Sequence, residues 1–356
     1  MLIVFTYWSN STVIIGYKNY VCNIIHQLAF QHPQDNFIII TNEKEFLIDQ
    51  QPINVTIVTV SSSIKLIQHF KEKIQFKKLI QQYQPKTIVN LCGTKLIKHT
   101  IPQISLLHYY PIKKEVFQLL QTKKILVFKH QLKKYLTEKY FVNEHQIETL
   151  NPLPKKIFQP LKFEQENQIK DGYTDGRNYF ICNYDETTPE EVITILKAFA
   201  QFKKWQKTNM KLMVVSRYQS LSTSLHEKIS TFKFKDDVVI LENIGDDKYA
   251  KLLATAYGFI HISSNPLNIF PLVEAIYTNT AIISSSNDSF KEIITNAALL
   301  IKENTVEEIA NALQEMYKNE NLRSKLIEQA NIKVIDYNIN QTAHQFWQIV
   351  QNAIQV

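Results

Sequence analysis

Short apolar runs alternate with longer amphipathic segments along nearly the whole chain, and this alternation restricts the fold more than any other feature. Residues 3–7 and 37–41 are apolar runs of strand length, whereas residues 21–30 repeat apolar side chains at helical spacing. Strands that alternate with amphipathic helices are typical of parallel sheets with crossover helices. The sequence therefore predicts an α/β fold built from doubly wound sheets.

The alternation occurs in two series, which predicts two domains. The predicted strands are residues 3–7, 37–41, 55–60, 87–91, 103–107 and 124–128, and then 179–183, 211–216, 238–241, 259–263 and 281–284. The first series ends at Pro152 and Pro154, and the polar residues 164–177 are interpreted as a linker. We expect one Rossmann-like domain in residues 1–161, completed by a helix in residues 336–356, and a second in residues 162–335.

Charge is divided unevenly between the two halves. Residues 1–160 contain 20 Lys or Arg against 9 Asp or Glu, a balance of +11, and the remainder contains 20 against 24, a balance of −4. No aromatic-basic motif accompanies the basic half, so no nucleic-acid partner is expected. The three cysteines are too far apart for a disulfide framework or a zinc site, and no apolar stretch reaches membrane-spanning length. These features predict a cytoplasmic protein.

Lysines are concentrated in one predicted helix of the basic half. They are Lys65, Lys71, Lys73, Lys77 and Lys78, with apolar residues at helical spacing between them. A helix that packs on the core and keeps its lysines in water is the simplest interpretation. The alternative is peripheral contact with the anionic inner face of a membrane, where a lipid-linked acceptor would be found.

An ordered series of segments carries a family resemblance. The series runs through residues 211–215, 237–243 and 254–264, is strongest in FPLVEA at residues 270–275, and continues through residues 281–284 and 296–300. It resembles glycosyltransferase family 4. The resemblance implies the GT-B architecture, with two facing Rossmann-like domains and a cleft between them. It also implies a nucleotide-sugar donor, a retaining transfer to a glycan or lipid-linked acceptor, and neither a metal nor another cofactor.

The resemblance implies roles for five residues. His108, at a predicted strand end, matches a histidine that lies close to the reacting sugar, although a lone histidine there is often structural. Glu274 matches the residue that hydrogen-bonds the ribose hydroxyls. The alternative interpretation is that Glu274 is simply a first-turn helix residue, stabilised by the helix macrodipole. Donor contacts are also expected from the turn at residues 267–270, which contains Asn268. This turn has lost both glycines of the family pattern, but the amides of Ile269 and Phe270 would face an anion.

Other positions depart from the family pattern. The phosphate-binding Arg and Lys of the family align with Asp185 and Glu190, and carboxylates repel a diphosphate. Residues 185–191 can instead simply cap and begin a helix. Pro266 replaces the first of two family glutamates, and only Gly16 remains of the first glycine-rich loop. Arg217 is a candidate replacement cation, although we expect it to be exposed.

Two classes of function follow. The first is a glycosyltransferase that uses a nucleotide sugar in polysaccharide or glycoconjugate synthesis. The second is a catalytically inactive GT-B protein that acts as partner, chaperone or glycan-binding subunit of an active transferase. The intact fold series, His108 and Glu274 favour the first, and the changes at Asp185, Glu190 and Pro266 favour the second. A nucleotide-sugar epimerase has no positive motif.

Overall fold

The chain forms two compact units. The computed structural model describes residues 1–8, 15–43, 46, 48, 50–60, 65–93, 100–184 and 188–355. Unit 1 is Met1–Pro152 with Asn338–Val356, and unit 2 is Leu153–Tyr337. The boundary after Pro152 lies at the proline-rich turn, whereas the sequence placed it at residue 161.

Unit 1 is built on a parallel sheet of seven strands among the described residues. The strands are β1 (Leu2–Tyr7), β2 (Asn36–Thr41), β3 (Val55–Thr59), β4 (Thr87–Asn90), β5 (Gln103–Leu107), β6 (Lys124–Val127) and β7 (Ile147–Thr149), in the sheet order β3-β2-β1-β4-β5-β6-β7. Its first helices are α1 (Ile15–Gln31), α2 (Lys65–Tyr83), α3 (Lys113–Leu119) and α4 (His130–Tyr140). The central strand β1 is buried along Ile3–Tyr7, as expected for a strand covered on both faces.

Unit 2 has a parallel sheet of six strands within the described residues. They are β8 (Tyr179–Asn183), β9 (Lys211–Val215), β10 (Val238–Leu241), β11 (Gly258–His261), β12 (Ile282–Ser285) and β13 (Ala298–Ile301), in the order β10-β9-β8-β11-β12-β13. The helices are α5 (Phe163–Thr174), α6 (Pro189–Gln206), α7 (Thr223–Ser230), α8 (Gly245–Thr255), α9 (Phe270–Tyr277), α10 (Asp288–Ile294), α11 (Val306–Lys318) and α12 (Glu320–Asp336). The predicted α/β class is confirmed.

The interpretation of residues 164–177 as a linker is wrong, because α5 occupies most of them. This helix packs against α8, and the Nζ of Lys248 in α8 lies 4.8 Å from the centre of the Tyr173 ring. Thr174 is buried and donates to the carbonyl of Lys170 at 3.0 Å. The helix ends at Asp175 in a left-handed conformation. These tertiary contacts override the polar composition.

Close packing in the unit 2 core explains one of the six glycines. A Cβ added at Gly258 would lie 2.7 Å from the Sδ of Met316 and 3.1 Å from the Phe180 ring. Phe180 also packs edge-on to Phe202, with ring centroids 5.8 Å apart. The start of β11 therefore has no room for a side chain between α11 and β8.

Helix α13 (Ile339–Gln355) follows unit 2 in the sequence but belongs to unit 1. Its buried Trp347 stacks on His32 with ring centroids 3.8 Å apart, and Phe346 lies against Phe5. Gln345 donates to the carbonyl of Thr149 at 3.0 Å. Unit 1 is thus built from two stretches of chain that are distant in sequence.

The strand orders define where each unit can carry a site. In unit 1 the order reverses between β1 and β4, and in unit 2 between β8 and β11. In open parallel sheets, ligands bind beyond the carboxyl ends of the strands at such reversals. In unit 2 the relevant loops follow β8, β9 and β11.

Candidate functional site

A buried cluster of charges lies beyond the carboxyl ends of the unit 2 strands. Arg217, two residues after β9, is 1% exposed. Its Nη1 lies 2.9 Å from Oε1 of Glu274 and 3.3 Å from Oδ1 of Asp246. Its guanidinium also lies over the Tyr249 ring, 4.6 Å from the centroid. The expectation that Arg217 is exposed is wrong, because two carboxylates and an aromatic face hold it inside.

The backbone explains why Arg217 and Asp246 meet. The Gly245 amide donates to the carbonyl of Arg217 at 3.0 Å, and the Ile244 amide to that of Ser216 at 3.3 Å. Gly245 has a φ of +71°, a conformation that glycine adopts without steric cost. This turn starts α8 beside the end of β9, so that Asp246 in the first helical turn faces Arg217.

Asp246 links the cluster to Lys155 of the same unit. Its Oδ2 lies 2.8 Å from the Nζ of Lys155. Burial alone would raise the pKa of Asp246, but the charges of Arg217 and Lys155 bring it below its usual value of 3.8. Tyr218 adds a hydrogen bond to the same carboxylate. Asp246 therefore carries a negative charge at neutral pH.

Glu274 supplies the second carboxylate of the cluster. It is 1% exposed and lies in α9, four residues after the first helical residue, Phe270. The first turn of α9 contains no acidic residue, so the explanation of Glu274 as a first-turn residue stabilised by the macrodipole is wrong. Its paired, buried carboxylate needs another explanation, because burying a charge is costly even with a partner.

Side chains hold the turn between β11 and α9, which lacks the family glycines. The buried His261 at the end of β11 has Nε2 2.8 Å from the carbonyl oxygen of Asn268, so this nitrogen carries a proton. The side-chain Nδ2 of Asn268 donates to Oγ of Ser263 at 3.1 Å, and its Oδ1 accepts from Nδ2 of Asn265 at 3.3 Å. A polar network thus fixes the backbone path that the glycines would otherwise allow.

The same turn also engages one of the backbone amides that could have bound a phosphate. The Ile269 amide, predicted to face an anion, donates to the carbonyl of Leu267 at 2.8 Å. Pro271 has no N–H, and the Leu272 amide donates to the carbonyl of Ile269 at 3.1 Å. Asn268, Ile269 and Phe270 are all at least 95% buried. The Ile269 amide is therefore engaged inside the turn, contrary to the prediction.

The beginning of α6 has the form of an ordinary capped helix. Oγ1 of Thr188 accepts from the Glu191 amide at 3.2 Å, Oε2 of Glu191 accepts from the Thr188 amide at 2.8 Å, and Pro189 is the first helical residue. Glu190 is exposed, and Asp185 lies outside the described residues. The other oxygen of Glu191 accepts from the Ser264 amide at 2.8 Å, which joins the loops at the β8–β11 reversal.

In unit 1, His108 directly follows β5. Its ring stacks on Tyr17 with centroids 4.1 Å apart, and the Tyr17 hydroxyl donates to the carbonyl of Leu91. The Nδ1 of His108 has no hydrogen-bond partner within the part of the chain that the structure describes. Burial lowers the pKa of His108 to about 4, so the ring is neutral at pH 7. A neutral imidazole can exchange a hydrogen bond with a sugar hydroxyl but supplies no positive charge.

The remaining predicted positions lie at the edges of what the structure describes. Gly16 is buried in the first turn of α1, and residues 9–14 are outside the described part. On α2, Lys77 and Lys78 are exposed, whereas the side chains of Lys65, Lys71 and Lys73 are not described. Among the described residues no helix could cross a membrane, and no group of three or more His, Cys, Asp or Glu could hold a metal ion.

Comparison with known proteins finds a family match in unit 2. The family described as glycosyl transferases group 1 matches residues 164–333. The match covers α5 to α12 apart from a few terminal residues, and it includes Arg217, Asp246 and Glu274. The family assignment predicted from residues 210–300 is therefore confirmed.

Individual relatives extend the likeness to both units. The O-antigen chain mannosyltransferase RfbU of Salmonella typhimurium is 26% identical over 61% of this chain, a segment that spans 63% of that protein. The structure of HepE from Anabaena in complex with UDP and glucose covers 99% of this chain and all of its own, with 13% identity and a TM-score of 0.79. A glycosyltransferase from Rickettsia africae has 13% identity and a TM-score of 0.78, with 99% and 98% coverage. The predicted GT-B fold is confirmed.

Sequence reasoning missed part of the cluster. Asp246, Tyr249 and Lys155 were not singled out, because an Asp at a helix start usually indicates a cap and a Lys after prolines usually indicates a surface turn. Their meeting depends on the approach of α8 to β9. A sequence signal existed only for Asp246, since Asn243-Ile244-Gly245 marks a turn directly before it.

Proposed function

We propose that this protein is a glycosyltransferase that moves a sugar from a nucleotide-sugar donor to a glycan or lipid-linked acceptor, with retention and without a metal. The observation that carries the proposal is the buried carboxylate of Glu274, held 2.9 Å from Arg217 at the position that the family resemblance gives to the ribose contact. Apolar pairs of similar volume are often at least as stable as buried ion pairs. A buried ion pair beside the strand ends is thus better explained by ligand binding.

The proposed roles follow from the chemistry of each group. An ionised carboxylate can accept from the two hydroxyls of a ribose, and Arg217 orients it by holding one oxygen. His108, neutral at pH 7, would hydrogen-bond the transferred sugar. Because Glu274 is 1% exposed, ribose binding requires that the side chains covering it move. The diphosphate would have to be bound without the Ile269 amide.

Titration calorimetry with nucleoside diphosphates, beginning with UDP, tests the proposal. We expect one nucleotide to bind and Glu274→Gln to weaken it about tenfold or more, since hydrogen bonds to charged groups contribute about 1.5–3 kcal/mol. Glu303→Gln, at an exposed carboxylate beyond β13, is the matched control and should leave the affinity unchanged. The absence of binding by every nucleotide at millimolar concentration would refute the proposal.

A second function is favoured by two specific observations. The Ile269 amide donates within its own turn, and Glu190 rather than a cation lies in the first turn of α6. Both features reduce the attraction for a diphosphate. This is expected of a catalytically inactive protein that serves as partner, chaperone or glycan-binding subunit of an active glycosyltransferase. Under this alternative no nucleotide binds, whereas the protein co-purifies with a transferase and raises its activity when the two are mixed.

A further inference from the structure

An exposed apolar and basic surface lies on unit 1, around α3. Ile112, Phe117 and Leu120 are 64%, 60% and 44% exposed. Lys113 and Lys114 lie among them and are exposed as well. We call these five residues the α3 patch. Lys113, Phe117 and Leu120 are spaced four and three residues apart, so they share the outer face of the helix, while Val116 and Leu119 face the core.

Two features distinguish the α3 patch from scattered exposed apolar residues. The first is charge: residues 110–148 contain eight lysines and four glutamates, and each of these glutamates is engaged. Glu115 accepts from the Ile112 amide at 2.9 Å. The other three pair with lysines outside the α3 patch: Glu138 with Lys134, Glu144 with Lys133 and Glu148 with Lys124. By contrast, exposed Phe30 lies in residues 26–34, which contain no Lys, Arg, Asp or Glu.

The second feature is a group of tyrosines beside the α3 patch. The hydroxyl of Tyr135 in α4 lies 3.4 Å from the carbonyl of Pro111, directly before Ile112. Tyr110 packs against Tyr135 with centroids 4.8 Å apart, and the Nζ of Lys139 lies 4.9 Å from the centre of the Tyr135 ring. Tyrosine rings are enriched at the boundary between lipid and water, where one end is apolar and the other is hydrated.

We propose that the α3 patch docks unit 1 onto the surface of an anionic lipid bilayer. Ile112, Phe117 and Leu120 enter the boundary between headgroups and acyl chains, and Lys113 and Lys114 contact the anionic headgroups. A protein partner would match exposed apolar residues equally well. The excess of lysine over glutamate and the adjoining tyrosines favour a lipid surface. The same surface would suit a lipid-linked acceptor, but docking does not depend on the proposed transfer reaction.

Co-sedimentation with lipid vesicles tests the proposal on the whole chain. Vesicles containing about one third phosphatidylglycerol are compared with pure phosphatidylcholine vesicles, and we expect stronger binding to the anionic ones that decreases with salt. Phe117→Ser should lower binding about tenfold or more, since it removes the aromatic side chain that would enter the bilayer. Phe30→Ser is the matched control in the same unit and should bind as the unchanged protein does.

A charge comparison separates the α3 patch from the lysine face of α2. Lys113→Glu with Lys114→Glu should abolish binding to anionic vesicles, whereas Lys77→Glu with Lys78→Glu should reduce it far less. The proposal is overturned by equal binding to both vesicle types, by loss of binding in the α2 pair alone, or by a Phe117-dependent dimer without vesicle binding. Nucleotide titration of the Phe117→Ser variant should be unchanged, so failure here is distinct from failure of the proposed transferase activity.

Discussion

Replacing Arg217 by Met tests the central interpretation of the unit 2 cluster. Methionine has a similar length but no charge, so the change leaves Glu274 and Asp246 buried beside an apolar group. Removing one partner of a buried ion pair costs about 3–5 kcal/mol, because the remaining charge is uncompensated. For a unit of 185 residues, each kcal/mol lowers the melting temperature by about 2–4 °C. We therefore expect the transition of unit 2 to fall by about 6–20 °C.

Differential scanning calorimetry of the whole chain is the suitable assay, because it can resolve the transitions of the two units. Lys291→Met is the control in the same unit: Lys291 pairs with Asp288 at 3.7 Å, and the two side chains are 47% and 71% exposed. Exposed pairs contribute about 0–1 kcal/mol, so this change should lower the transition by only a few degrees. Equal effects of Arg217→Met and Lys291→Met would refute the reasoning.

A double-mutant cycle locates the cost in the pair itself. Glu274→Gln removes the charge that Arg217 compensates, so the double variant should lose less stability than the sum of the single changes. Contacting residues in one network typically show coupling of about 0.5–3 kcal/mol. Additive effects would mean that Arg217 is stabilised by other contacts, and that it does not hold Glu274 in place.

Three further outcomes follow from the structure. Lys155→Met should destabilise unit 2 by about 1–2 kcal/mol at pH 7, allowing for the partial exposure of Lys155. Because the pKa of Asp246 is depressed in the folded state, this stabilisation is present above its unfolded pKa and is lost as the pH falls through the folded value. If Lys155→Met lowered the free energy of unfolding by a similar amount at pH 2, measured by urea titration, this argument would be contradicted. His108→Phe should leave the melting temperature nearly unchanged but lower kcat of sugar transfer about tenfold, through the loss of one hydrogen bond to the transferred sugar, and an unchanged kcat would mean that His108 does not contact that sugar. Gly258→Ala should cost about 1–3 kcal/mol because its Cβ meets Met316, and an unchanged urea midpoint would contradict that contact.

The sequence predicts the fold better than the site, and the reason is physical. Each buried strand carries its own apolar run, so β1 or β9 can be recognised locally without knowledge of its neighbours. The helix α5 was missed because its sequence is polar and its stability comes from packing against α8.

The site depends on contacts between elements, which local patterns do not contain. The Arg217–Glu274 pair joins residues 57 positions apart, and no local pattern indicates that Arg217 turns inward. Donor contacts from the β11–α9 turn were predicted from the family resemblance, but the hydrogen bonds of His261 and Asn268 that hold the turn were not. Such networks become visible only when the path of the backbone is known.

Helix α13 has a consequence for the order in which the chain is assembled during synthesis. The residues of unit 2 form one continuous stretch, so they can fold as soon as Tyr337 has left the ribosome. Unit 1 begins to be synthesised first, yet it cannot cover His32 and Phe5 until Trp347 and Phe346 have been added. One apolar face of its sheet therefore lacks its covering helix while the whole of unit 2 is translated. The half of the protein that is made first is the half that is finished last.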